Sequence, residues 1–297
     1  MKNKFIITVS FILIFRVDLI AAQTAPKTQE PSPPEIGILS MPTVQELGPL
    51  VSFGQNVIDK HNAQILLLGA KLSGQLEHFV DVAPSFLYGI TDTSSVLFTL
   101  PYAVSYKQNG YHSSGIEDTL LQFEYAFYQK STYSYYQRAT AVLSLFLPTG
   151  SSTTIPNTGN GSPTFFLGTT FNRTYVDWFI FTSPGTLQTT TNSQAVKYGN
   201  QYYYQGGLGK SIFVINGKLL IALILEMDGT YIEKTRLMGA ADPNSGGNTI
   251  ITTPSFWLST HNFTLQLGFS YPIYQRFNGH QPRIYNAVVG NVAWAFI

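Results

Sequence analysis

Residues of one polarity class recur at every second position along most of this chain. Phe263, Leu265, Leu267, Phe269 and Tyr271 share one face of an extended segment, and Thr264, Gln266, Gly268 and Ser270 share the other. Leu121, Phe123, Tyr125 and Phe127 alternate with Gln122, Glu124, Ala126 and Tyr128. Ala139, Ala141, Leu143, Leu145 and Leu147 alternate with Arg138, Thr140, Val142, Ser144 and Phe146. Val82, Pro84, Phe86, Tyr88 and Ile90 alternate with Asp81, Ala83, Ser85, Leu87 and Gly89. Successive side chains of a β-strand point to opposite faces, so a repeat of two is the strand signature. Runs of about ten residues with one apolar and one small or polar face suit strands that cross a membrane in a closed barrel.

These runs predict an all-β, transmembrane antiparallel β-barrel of about twelve strands with both termini periplasmic. The strands are expected to begin near Gln64, Phe79, Ser95, Thr119, Tyr136, Pro163, Thr174, Gln201, Gly217, Ile250, His261 and Ala287. Short connections are expected at Thr91–Ser94, Ser131–Tyr135, Asn172-Arg173, Ile215–Gly217 and Ser259–His261. Long ones are expected at Lys107–Asp118, Thr149–Ser162, Ser183–Asn200, Asp228–Asn248 and Pro272–Asn286. Short and long alternate, as periplasmic turns and external loops do in such barrels.

Asn216-Gly217 is a hairpin signal. A turn there places Leu208, Ile212, Val214, Leu219, Ile221, Leu223 and Leu225 on the lipid side, with Phe213, Leu220, Ala222, Ile224 and Glu226 opposite. Lys210 then also faces lipid, an unfavourable place for a charge near the midplane.

Composition weighs against a soluble β-sandwich, whose strands would alternate too. Charged residues make up 11% of the 297 residues and aromatic residues 14%, including 18 Tyr and 21 Phe. An ordinary soluble domain carries roughly 25% charge. A net charge of +1 gives no sign of a nucleic-acid partner. There is no cysteine, which excludes disulfides, thiolate metal sites and lipid attachment through Cys.

Lys2 and Lys4 precede an apolar run, Phe5 to Phe15, too short to span a bilayer. With Ala21 and Ala22 after it, residues 1–22 are expected to be a signal peptide for export through the inner membrane. Residues 23–60 read as a Pro-rich linker and N-terminal segment, and 61–297 as the barrel.

Several short motifs occur in order. They are Tyr88-Gly89-Ile90-Thr91-Asp92 with Leu100-Pro101-Tyr102, then Ser114-Gly115-Ile116-Glu117-Asp118, Leu147-Pro148-Thr149-Gly150, and Tyr271 through Gly279. Together they resemble the transporter-like outer-membrane β-barrel family named for the MetA-pathway of phenol degradation, over roughly Val80 to Ile297. The resemblance implies a bacterial outer-membrane protein that takes up small hydrophobic or aromatic solutes. Barrels of this kind commonly end on an aromatic residue read by the barrel-assembly machinery. Here Ile297 is last, so Trp294 and Phe296 are the expected assembly signal.

Asp81, Gln122, Glu124, Arg138 and Asp177 are the expected lumen-lining residues, since charges on the lipid side are costly. Glu124 and Arg138 fall on consecutive strands and on one side, so they are candidates to pair. The expected partners are outer-membrane lipid, the barrel-assembly machinery and a small hydrophobic or aromatic solute. Neither a cofactor nor a metal is implied: His61, His78, His112, His261 and His280 show no paired ligand spacing. Tyr111-His112-Ser113-Ser114-Gly115 faintly resembles the His-x-Ser stretch of outer-membrane phospholipases. Glu117 and Asp118 could supply a third group to orient the His, but no spacing fixes it, so no catalysis is expected. A lipid hydrolase and a non-conducting structural or adhesive surface barrel are the alternatives.

Overall fold

A computed structural model describes residues 37–215 and 218–296. The expected signal peptide, the linker up to residue 36, the Asn216-Gly217 pair and Ile297 lie outside the described residues. Twelve antiparallel strands form the wall. They are β1 (Ala63–Gly74), β2 (Glu77–Thr91), β3 (Ser94–Thr99, continued by Tyr102–Gln108) and β4 (Tyr111–Ile116, continued by Thr119–Ser131). Next come β5 (Tyr135–Leu147), β6 (Thr164–Tyr175), β7 (Trp178–Thr189) and β8 (Gln201–Ile215). The last four are β9 (Leu219–Ile232), β10 (Gly247–Thr260), β11 (Phe263–Phe277) and β12 (Ile284–Phe296). Each strand pairs with the next in sequence, and β12 pairs with β1 from Ala63↔Phe296 onward, which closes the ring. Closure leaves no strand edge with unpaired backbone groups, a requirement in lipid.

The wall is polar inside and apolar outside. Glu124, Thr140, Asn172, Ser183, Glu226, Thr253, Ser259 and Gln266 are buried in the interior. Ile65, Phe86, Phe123, Leu143, Leu167, Ile180, Leu225, Leu267 and Val292 are exposed on the outer face. In water such an apolar belt would be a large unfavourable surface; against acyl chains it is the matched one.

Connections differ between the two ends. At the turn end the strands are joined by the short stretches 92–93, 132–134, 176–177, 216–218 and 261–262. At the other, the loop end, lie 148–163, 190–200, 233–246 and 278–283, with two tight turns at 75–76 and 109–110. Both the N-terminal end of β1 and the C-terminal end of β12 are at the turn end.

Four placements differ from the sequence expectations. Lys107–Asp118 is not a loop: β3 and β4 run on to a tight turn at Asn109-Gly110, with φ of 51° and 85°. Asn-Gly supplies the two left-handed residues that a two-residue hairpin needs. Asn172-Arg173 is not a turn but the end portion of β6; the turn is Val176-Asp177. Strand β7 also extends into the expected loop Ser183–Asn200, and β9 to β12 into the expected loops Asp228–Asn248 and Pro272–Asn286.

Finally, a bulge between Ser211 and Phe213 in β8 reverses the three described residues beyond it, so Phe213 pairs with the outward Ile221, Val214 with the buried Leu220, and Ile215 faces outward. Lys210 does face lipid, but opposite Trp178 at the turn end, with its ammonium 5.0 Å from that ring's centroid. Arg173 is placed alike, 4.5 Å over the Tyr135 ring. Both cations sit where headgroups and aromatic belts meet.

Candidate functional site

The lumen is occupied by the chain's own N-terminal segment. Residues 37–62 enter at the turn end, where the Ile38 N–H donates to the Val176 carbonyl at 2.9 Å. Ile38 and Leu47 pack with the inward Phe179, Phe181, Leu220, Ala222, Ile224 and Trp257. The segment then meets β9. Glu226 accepts the N–H groups of Leu50 (2.7 Å), Val51 (3.2 Å) and Ser52 (3.0 Å), and the Ser52 hydroxyl donates to Asp228 at 2.6 Å. Glu226 is 0% exposed. A carboxylate so deep would be very costly alone; charge-assisted bonds of ~1.5–3 kcal/mol each offset part of that cost.

The apex is shaped by glycines. The Phe53 ring packs edge-on against Phe166 (4.5 Å between centroids) and lies beside Tyr203. A methyl group at Gly168 or Gly185 would stand 2.5 Å or 2.8 Å from the Phe53 ring, so both strand positions must stay bare. Gly54 (φ 86°) and Gln55 (φ 69°) are left-handed and turn the chain back.

On the return, Glu124 takes the Asn56 N–H (2.9 Å) and side-chain amide (2.7 Å), Arg138 donates to the Val57 carbonyl (3.2 Å), and Ser95 accepts from Ile58 (3.0 Å). The entering and returning arms are tied by Thr43 donating to Asp59. His61 and Asn62 bond the Gly89 backbone, and the chain passes into β1.

The expected lumen residues now have places. Gln122, Glu124 and Arg138 are buried on the interior face. Gln122 joins Glu124 to Ser144. Asp81 is half-buried on the inner side of β2. Asp177 is misassigned: it is an exposed residue of the Val176-Asp177 turn, because β6 runs further than the sequence suggests. Arg138 does not pair with Glu124. It forms an ion pair of 3.1 Å with Glu46 of the N-terminal segment, which also accepts from Asn172. Trp294 and Phe296 point outward and are exposed.

Above the apex, at the loop end, is a cavity of about 300 Å³. Phe146 and Leu187 form its apolar side, Tyr106 and Glu117 its polar side, and Asn157 to Asn160 of loop 148–163 its cover. Glu117 stands past the membrane-spanning wall, since the neighbouring β5 ends at Leu147, opposite Thr119. Burial pushes the Glu117 carboxyl up to about 7; its hydrogen bond from Tyr106 opposes this, and the Asp81 and Asp118 carboxylates add to it. The His-x-Ser stretch lies nearby. His112 Nε2 is 3.3 Å from Ser105 Oγ at an exposed position, whereas Ser113 donates to the Pro156 carbonyl and the motif's own serine, Ser114, is exposed. His112 is therefore beside a different serine from the one its motif suggested.

No family model matches this chain, and no curated protein does. Among solved structures, the COG4313 outer membrane channel from Pseudomonas putida F1 aligns with a TM-score of 0.66 at 13% identity, over 84% of this chain and 100% of that one. The two share the fold of a closed antiparallel β-barrel. A NanC porin aligns with a TM-score of 0.48 at 11% identity (77% of this chain, 98% of that). LpxR from Salmonella typhimurium aligns at 0.44 and 9% (78% and 99%). Both are too distant to bear on function.

Sequence reasoning missed the anchors Glu46, Glu226, Asp228 and Gln205, whose side-chain carbonyl accepts the Phe53 N–H at 3.2 Å. Glu226 was placed on the inner face, but nothing local says that it binds Leu50–Ser52, some 175 residues away. Gly168 and Gly185, glycines within strands, were the available signal of a close approach.

Proposed function

We propose that this barrel lies in the outer membrane of a Gram-negative bacterium, with both termini periplasmic, and passes small hydrophobic or aromatic solutes. The observation that carries the reading is the lumen's content. It is filled largely by a segment continuous with β1, anchored at the Glu226 and Glu124 carboxylates and packed through Ile38 and Leu47 on inward wall side chains. Such a filling can shift without unfolding the wall, because wall and segment share few backbone bonds. The apolar belt, the channel fold and the motif resemblance support the membrane and the solute class. Outward Trp294 and Phe296 suit a signal read by the assembly machinery.

Planar-bilayer recording on the full chain tests this. Discrete conductance steps that aromatic solutes interrupt are expected, with longer open times in Glu124→Gln. A barrel silent in both forms that hydrolyses phospholipid would replace the channel with the lipid-hydrolase reading. Tags at Gly239, beside the highly exposed Met238, should be reached by antibody on intact cells; labelling only after permeabilisation inverts the orientation.

A further inference from the structure

The cavity at the loop end has chemistry that the channel reading leaves unused. Its two carboxylates differ. Asp118 is engaged by its own surroundings, accepting the N–H of Gly150 (3.1 Å) and of Asn160 (2.7 Å). Glu117 has its Tyr106 contact, but its Oε1 is buried with no hydrogen-bond partner. Buried acceptors without donors are uncommon in native structures, and each one calls for an explanation.

The opposite side of the cavity is apolar, with Phe146 joined to Phe166 and Leu187 in one hydrophobic cluster. Among the described residues that line it there is no Lys, Arg or His. The cover is a built one. Asn157 donates to the Tyr198 hydroxyl, Asn192 to the Asn160 carbonyl, and Ser113 to the Pro156 carbonyl, so loops 148–163 and 190–200 are tied together over it. A volume of about 300 Å³ is at the small end of ligand sites and suits one ring with a short tail.

We propose that this cavity binds a small amphiphilic amine, with its ammonium on the Glu117 carboxylate and its apolar body against Phe146 and Leu187. The ammonium supplies the donor that Oε1 lacks, and the charge-assisted bond is shielded by the cover. A carboxylate on the same apolar body would meet Glu117 and Asp118 with no cation to offset them, so isosteric acids are excluded. The proposal adds a solute class to the channel reading, but binding does not require conduction.

Isothermal titration of the full detergent-purified chain with phenylethylamine and with phenylacetate tests it. Saturable binding of the amine is expected, with phenylacetate weaker by about tenfold or more. Glu117→Gln should weaken the amine by a similar factor, and Tyr106→Phe by less. Heat-modifiable migration on gels checks that each variant is folded. Equal binding of acid and amine, unchanged affinity in Glu117→Gln, or no amine binding overturns the site. Amine binding by a chain that shows no conductance keeps the site and overturns the channel; conductance without amine binding does the reverse.

Discussion

Arg138 of the wall and Glu46 of the N-terminal segment meet 3.1 Å apart, the only ion pair among the described residues. The Arg138 side chain is 4% exposed and its guanidinium also holds the Val57 carbonyl and lies over the Tyr136 ring. One side chain thus clamps the entering arm, at Glu46, and the returning arm, at Val57.

Arg138→Ala should loosen the segment and leave the wall intact. Removing one partner of a buried pair costs ~3–5 kcal/mol. Hydrogen exchange at the Leu50–Ser52 amides is expected to speed by about a hundredfold or more, with β-strand amides unchanged. Ion selectivity should move toward cations, since Glu124 and Glu226 remain inside; an unmoved reversal potential would show that ions do not pass them.

Glu226→Leu removes the acceptor of three N–H groups. Buried donors left without partners cost ~1–3 kcal/mol each, so the apex should detach. Longer open times in bilayers are the expected result, with Glu226→Gln intermediate because it keeps one carbonyl oxygen.

A covalent lock reverses that effect. The chain has no cysteine, so Ser52→Cys with Asp228→Cys introduces a single possible bridge between two side chains now 2.6 Å apart. Oxidation should suppress conductance and reduction restore it. Equal conductance in both states would mean that solutes pass without movement of the apex.

The outer face predicts a position-dependent cost of charge. Leu225, halfway along β9 and exposed, should lose ~2–4 kcal/mol of stability as Leu225→Arg. Lys210→Leu, at the turn end, should change little, because it trades a snorkelling ammonium over Trp178 for an apolar contact. Urea unfolding of the barrel in lipid vesicles measures both.

The Glu117 carboxyl, raised to about 7 chiefly by burial, makes amine affinity depend on pH. Tyr106, Asp81 and Asp118 are the titratable groups that act on it. The carboxylate form binds the ammonium, so affinity is full above pH 7 and falls as the pH drops through it. About tenfold weakening from pH 8 to pH 6 follows from an ionised fraction near one-tenth at pH 6. Titrations at the two pH values check this, and Glu117→Gln should give a flat profile.

The period of two, the apolar outer rows and the count of strands were legible in the sequence, because each strand states its inner and outer face within its own ten residues. Gln122, Glu124 and Arg138 were read as inward from that alternation alone. Asp177 was misread because a strand end shifts by a few residues without altering the alternation before it. The bulge at β8 was hidden for a related reason, since one added residue reverses the three side chains after it and leaves composition unchanged. What fills the lumen was decided only in three dimensions. Residues 37–62 have no period to announce a structure, and their N–H groups find acceptors on β4 and β9, far away in the chain. A hydrogen bond depends on where two groups meet in space, and only the closed ring brings Glu46 to Arg138, Leu50 to Glu226 and Asn56 to Glu124.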